Sequence, residues 1–183
     1  HSGRPVSGRK EVFIMEIERK FTVRSIPGNL SQYPHHLIEQ GYLNTNPVVR
    51  VRREDDTCYL TYKGKGLMAR EEYNLPLNEE AYRHLIQKAD GNIIGKRRYL
   101  IPLESYAIEL DVFLEPFTPL IIAEVEFPTE EKANVFIPPD WFLEDVTCNP
   151  AYHNSTLSSI PENELKEALK KYEERQKTTV EEI

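Results

Sequence analysis

Residues 12–23 read VFIMEIERKFTV, and the alternation in this stretch decides the kind of fold to look for. Successive side chains of a strand point to opposite faces. Glu16, Glu18 and Lys20 therefore share one face, and Met15, Ile17 and Arg19 the other. A Pro27-Gly28 turn closes the segment. Working outward, Gly41–Leu43, Val48–Arg53, Thr57–Lys63, Ala69–Leu77, Ile93–Pro102, Tyr106–Leu114 and Leu120–Phe127 have strand length and are separated by turn residues, with Trp141–Val146 a weaker strand signal. The stretch Ser31–Gln40 reads as a short helix. Asn78 reads as the N-cap of a helix running through Lys88, and a final helix opens at Ser159–Glu162 and runs through Lys177. This order predicts a mainly β, α+β domain: a closed antiparallel barrel with peripheral helices.

The 183 residues fit one domain, expected over 12–177. Residues 1–11 are polar and aperiodic; they read as a flexible tail or expression remnant, with Met15 as a candidate natural start. Residues 178–183 read as a second flexible tail. A net charge of −7 argues against general nucleic-acid binding, which needs a surplus of Lys and Arg, but leaves room for a local basic pocket. Cys58 and Cys148 form no metal-type cluster and read as reduced. No apolar run is long enough to span a bilayer, so no membrane partner is expected and the cytoplasm is the default location. The histidines show no metal-ligand spacing: His35 and His36 are adjacent, and His84 and His153 are isolated.

The informative feature is where the charges sit. Like charges recur at i and i+2, on one face of one strand after another: Glu16/Glu18, Arg50/Arg52, Lys63/Lys65, Lys96/Arg98, Glu109/Asp111 and Glu124/Glu126. The alternate positions Ile17, Val49, Val51, Ile108, Leu110, Val112 and Val125 are apolar. Alternation alone does not say which face is inside. Either the charges face water around an apolar core, or they line a wet lumen whose apolar exterior is covered by helices. Chemistry favours the lumen. A triphosphate needs guanidinium and ammonium donors from several directions, and carboxylates beside it make sense if they hold a divalent cation.

The segment Glu16-Ile17-Glu18-Arg19-Lys20 resembles the E-x-E-x-K hallmark of the CYTH superfamily, the triphosphate tunnel metalloenzymes. Later segments resemble the family's remaining strands in order: Arg50-Val51-Arg52, Thr61-Tyr62-Lys63, Arg70-Glu71-Glu72-Tyr73, Lys96-Arg97-Arg98, Glu109-Leu110-Asp111 and Glu124-Val125-Glu126, with Asp145-Val146-Thr147 and Tyr152-His153-Asn154 as the closing segment. The match covers roughly residues 13–158. The resemblance implies an eight-stranded antiparallel tunnel that binds a triphosphate-containing small molecule with Mg²⁺ or Mn²⁺. It implies Lys20, Arg50, Arg52, Lys63, Arg70, Lys96 and Arg98 as substrate binders. It implies Glu16, Glu18, Glu124 and Glu126 as the metal side, with Glu72 and Asp111 as further acidic residues that serve equally well as interior salt bridges. In some members a tyrosine after Gln-Gly, here Tyr42, is proposed to act catalytically with the lysine matching Lys96; otherwise Tyr42 reads as a lid or core aromatic. One departure stands out: Asn74 occupies a position where the family often carries an acid, which removes one charge from the acidic side.

The activity implied is metal-dependent hydrolysis of tripolyphosphate or a nucleoside triphosphate. The alternatives are a class IV adenylate cyclase, a thiamine triphosphatase, or a non-catalytic polyphosphate-binding module. The last would have no need of both E-x-E strands. An apolar barrel exterior would also suit a homodimer.

Overall fold

The structure, a computed structural model, describes residues 14–181. The tail expected at 1–11, the first two residues of the opening strand and residues 182–183 lie outside that range. The elements in chain order are β1 (Ile14–Val23), β2 (His35–Thr45), β3 (Val48–Glu54), β4 (Thr57–Lys63), β5 (Ala69–Leu77), α1 (Glu79–Ile86), β6 (Asp90–Leu103), β7 (Tyr106–Phe113), β8 (Ile121–Glu126), α2 (Glu130–Val135), β9 (Phe142–Asp145), α3 (Asn154–Ser159) and α4 (Glu162–Glu181).

The strands pair in the order β5-β4-β3-β2-β6-β7-β8-β1, and a β1–β5 pairing closes them into an eight-stranded antiparallel barrel. Closure depends on how β1 divides its edges. Ile14–Ile17 pair with β5, while Glu18–Thr22 pair with β8 on the other side. Beyond the end of β5, the vacated edge is taken by β9, which pairs at Phe21 and Val23. No long edge of β1 is left to recruit another chain.

The expected helix over Ser31–Gln40 is absent. A single 3₁₀ turn occupies Leu30–Gln32, and β2 begins at His35 and runs through Gly41. The strand pairs with β3 on one edge and β6 on the other, so ladder bonds override the weak local preference of residues 35–40. Asn78 does cap α1, accepting from the Ala81 amide at 2.7 Å, with Glu79 and Glu80 in the positive first turn. The final helix continues past Lys177 to Glu181, with no proline or glycine in that stretch to stop it.

Apolar residues cover the outside of the barrel and plug one end. Ile17, Phe21, Ile108, Leu110, Ala123 and Val125 form an outer-face core with Ala133 of α2 and Phe142 of β9. Val51 and Cys58 pack on Tyr82 of α1. On the inner face, β3, β6, β7 and β8 become apolar toward one end, at Val48, Ile94, Phe113 and Ile122. These meet Leu157 of α3 and Leu165, Leu169 and Tyr172 of α4, giving the barrel a floor. Gly91 fixes α3 against β6. Its φ is +68°, and a Cβ there would stand 2.0 Å from the Ser158 carbonyl oxygen. The neighbouring Asn92 side chain donates to the Leu157 and Ile160 carbonyls. Both cysteines are free thiols, and among the described residues no helix is long and apolar enough to cross a membrane.

Candidate active site

The charges point inward. Glu18, Lys20, Arg50, Arg52, Lys63, Lys96, Arg98, Asp111 and Glu124 are all buried, although each is charged in water. The register explains how they meet. Cross-strand partners share a face, and the pairs Glu18↔Glu126, Lys20↔Glu124, Glu109↔Glu124, Arg98↔Asp111, Lys63↔Glu72 and Glu16↔Arg70 stack around the inner wall. They surround a cavity of about 210 Å³ that is lined by Lys20, Arg50, Arg52, Lys63, Arg70 and Arg98 and by Glu16, Glu18, Glu72, Glu109, Glu124 and Glu126. Tyr42 also lines it; Lys96 and Asp111 do not.

Three groups of residues can be told apart by their partners. The first is a balanced ionic network. Lys20 Nζ contacts Glu124 Oε1 at 2.8 Å and Glu18 Oε1 at 3.0 Å. Arg98 contacts Asp111 through Nε and Nη2, each at 2.7 Å, Glu124 Oε2 at 2.7 Å, and Glu109 through Nη1. Lys96 Nζ donates to Asp111 Oδ2, and both groups are wholly buried. Lys63 Nζ bridges Glu16 Oε2 at 2.6 Å and Glu72 Oε2 at 3.1 Å, and Arg70 Nε lies 3.6 Å from Glu16 Oε2. Burial opposes the charge on Lys20, but the Glu124 and Glu18 carboxylates outweigh it and hold the ammonium above its ordinary range. Burial likewise opposes ionisation of Glu124, and Lys20, Arg98 and Lys96 reverse that, holding it well below the usual carboxylate range. Glu72 is brought to about 2: burial raises it, and Lys63, Glu16 and Asn74 more than offset this. Lys96 moves down to about 8, because burial and the positive charges of Arg98 and Arg52 outweigh Asp111.

The second group is acidic. Glu16, Glu18 and Glu126 each bring a carboxylate oxygen within 4.8 Å of the others. Burial first, and then the charges of Glu109, Glu16 and Glu18, push Glu126 up to about 7. Three hard oxygen donors crowded at this spacing fit a hard divalent cation, which would relieve the repulsion between them. Of the six acids expected on the metal side, these three converge, with Glu16 also met by Lys63 and Arg70 and Glu18 by Lys20, while Glu126 forms no ion pair among the described residues. Glu124, Asp111 and Glu72 lie outside the triad and are engaged by Lys and Arg.

The third group is basic and lacks carboxylate partners. Arg50 and Arg52 form no ion pair among the described residues, and Arg50 Nε is buried without a hydrogen-bond partner. Arg52 Nε donates to Gln40 Oε1 at 2.9 Å. Burial works against the charge of Arg50, but Tyr42, Glu72 and Glu16 more than restore it.

Asn74 takes part in this wall. Its amide donates to Glu72 Oε1 at 2.7 Å while its carbonyl oxygen accepts from Thr61 Oγ1 at 2.6 Å, a double role that a carboxylate could not fill. Sequence reasoning did not single out Glu54, Tyr59, Asn154 or Ser155, and placed Glu109 in the charge pattern without a site role, yet all five line the cavity. Extending the two-residue period would have reached Glu54 from Arg52. Asn154 and Ser155 arrive from α3, outside any strand pattern. His153, read as an isolated histidine, also lines the cavity, and burial together with Lys20 keeps its pKa below the ordinary histidine value.

A model of the CYTH domain family matches residues 15–162. Among curated proteins, an inorganic triphosphatase of Nitrosomonas europaea is 38% identical over 152 residues, spanning 80% of this chain and 99% of that protein. An inorganic triphosphatase of Acetivibrio thermocellus is 39% identical over 159 residues, spanning 83% and 98%. Among solved structures, that of an inorganic triphosphatase superposes with a TM-score of 0.62 at 35% identity, covering 81% of this chain and 97% of that one.

Proposed function

The chain belongs to the CYTH domain family, and from that premise we propose that it hydrolyses inorganic tripolyphosphate inside its barrel, with Mg²⁺ or Mn²⁺ held by Glu16, Glu18 and Glu126. The observation that carries this reading is the enclosed hollow in which an acidic triad and two arginines without carboxylate partners face the same 210 Å³ space. A polyphosphate–metal complex is both anionic and cationic, and it needs both surfaces at once.

Arg50 and Arg52 are the natural grip on the phosphate chain, since neither is held in an ion pair among the described residues and both line the cavity. Lys20, Lys63, Arg70 and Arg98 add positive potential from fixed positions, because their own carboxylate partners lock them in place. Phosphoryl transfer spreads negative charge over the transferring group, so a preorganised ring of donors stabilises the transition state without reorganising. When bound, the cation supplies Lewis-acid polarisation of the phosphoryl oxygens. Tyr42 faces the cavity beside Arg50 and acts on the anion from there. Lys96 lies behind the wall against Asp111 and contributes through its charge. Asp111, Glu124 and Glu72 serve in this reading as interior counter-charges.

The likeness to inorganic triphosphatases at 38–39% identity supports a bare phosphate chain as the substrate. The test is a panel of tripolyphosphate, ATP, GTP and thiamine triphosphate with Mg²⁺ and with Mn²⁺, reading phosphate release and cyclic nucleotide. Tripolyphosphate should give the highest kcat/KM and no substrate a cyclic product. Cyclic AMP from ATP, or no phosphate release from any substrate, would overturn the assignment.

A further inference from the structure

Gln40 projects from β2 to the inner face, opposite Arg52 of β3, and is wholly buried. Its Oε1 accepts from Arg52 Nε at 2.9 Å. The opposite orientation of the amide would set a donor against a donor, because a guanidinium has no acceptor to offer. The far end of the same guanidinium is steadied by Tyr59, whose hydroxyl accepts from Nη1 at 3.4 Å and donates to Glu54 Oε2 at 2.9 Å. Four other interior cations show a contrast. Lys20, Lys63, Lys96 and Arg98 are each met directly by a carboxylate, whereas Arg52 is met by an amide and a phenol. The Gln40 Nε2 is itself buried without a partner, so this position adds a second unsatisfied donor to the interior.

Resting on the reading of the cavity as a triphosphate site, we propose that Gln40 is a positioning residue. It holds Arg52 in place with a neutral acceptor, so that the full guanidinium charge stays available to an anion. A glutamate at this position would have nearly the same size and reach and would accept the same hydrogen bond. It would also cancel the charge, as the carboxylates do elsewhere in the barrel. The amide fixes geometry and leaves the electrostatics alone.

The experiment compares Gln40→Glu and Gln40→Met with the wild type. Tripolyphosphate affinity is measured by calorimetry in EDTA, steady-state kinetics are measured with Mg²⁺, and folding is checked by thermal unfolding. Gln40→Glu should weaken tripolyphosphate binding and raise KM by about thirtyfold or more, the scale of losing a desolvated charge interaction. Gln40→Met keeps the charge and loses one hydrogen bond, so it should weaken binding by only about threefold. In both variants kcat should change less than KM, since the loss is in ground-state grip. A purely structural role predicts the reverse order, because glutamate preserves the hydrogen bond and methionine does not. Gln40→Glu binding like the wild type, or better than Gln40→Met, would overturn the proposal. If Gln40→Glu does not fold, wild-type affinity in Gln40→Met would overturn it instead. A wild type that binds tripolyphosphate without hydrolysing it would sink the hydrolase assignment alone, and the binding series would still decide the role of Gln40.

Discussion

Lys96 and Asp111 are both wholly buried, and neither could stand there alone. Burial raises the Asp111 carboxyl, and Arg98 and Lys96 reverse this and hold it ionised, with Arg98 gripping it through two nitrogens. One carboxylate therefore serves two cations, and its removal leaves Lys96 without a carboxylate partner in a low-dielectric wall and Arg98 with only Glu109 and Glu124. Asp111→Asn keeps the shape and removes the charge; it should cost about 3–5 kcal/mol of stability, the usual penalty for breaking a buried pair from one side. Urea unfolding of the variant measures it, and a loss within experimental error would show that water or anions reach Lys96 and Arg98. The inward charges were legible as residues because their two-residue period is set by strand geometry alone. The division among them was not. Glu124 and Glu126 look alike in sequence, yet Glu124 is bound by Lys20 and Arg98 while Glu126 joins the acidic triad. That difference depends on which cations the neighbouring strands bring into register. Gln40 was invisible for a related reason: a lone glutamine on a strand means nothing until the residue opposite it is known.

At the scale of elements, strands with turns on both sides were legible, and Thr57–Lys63 and Ala69–Leu77 coincide with β4 and β5. The stretch Ser31–Gln40 misread as helix lies where local propensity is weak and two ladders decide the outcome. The short β9 is a case of structure held by side chains as much as by pairing. Asp145 accepts from Arg19 Nη2 at 2.6 Å and from the Thr147 amide at 3.0 Å, and Arg19 also donates to the Ala133 and Phe136 carbonyls. Arg19 thus ties β1, α2 and β9 together. Burial alone would raise the Asp145 carboxyl; the bonds from Thr147 and Arg19 bring it below the ordinary value. A carboxyl depressed in the folded state stabilises the fold above its unfolded pKa, and that contribution disappears as pH falls through the folded value. Asp145→Asn should accordingly lower the thermal midpoint at pH 7, and the gap from wild type should narrow below about pH 4, where the unfolded carboxyl takes up its proton. A gap that stays constant from pH 7 to pH 3 would rule out the charge on Asp145 as its cause.

For the molecule as a whole, the barrel encloses charge where most domains enclose hydrocarbon, and moves its apolar contacts to the outer face and the floor. Most of the enclosed charge is paired, Glu16 with Lys63 and Glu18 with Lys20 included, but Glu126 forms no ion pair among the described residues, and burial together with the charges of Glu109, Glu16 and Glu18 pushes it up to about 7. Such repulsion is the cost of a site ready for a cation, and it makes stability and function pull in opposite directions. Without divalent metal, Glu126→Gln should unfold at a higher temperature than the wild type, because one of three mutually repelling carboxylates is gone. With Mg²⁺ or Mn²⁺ the wild type should gain stability, by about 2.7 kcal/mol at a metal concentration a hundred times the dissociation constant. The variant should gain much less, and its metal-dependent turnover should be lost. Thermal unfolding of both proteins in EDTA and in excess metal gives four midpoints that test the argument without any substrate. If Glu126→Gln is the less stable protein in EDTA, the triad is not under electrostatic strain. If the two proteins gain equally from metal, the cation is held somewhere else.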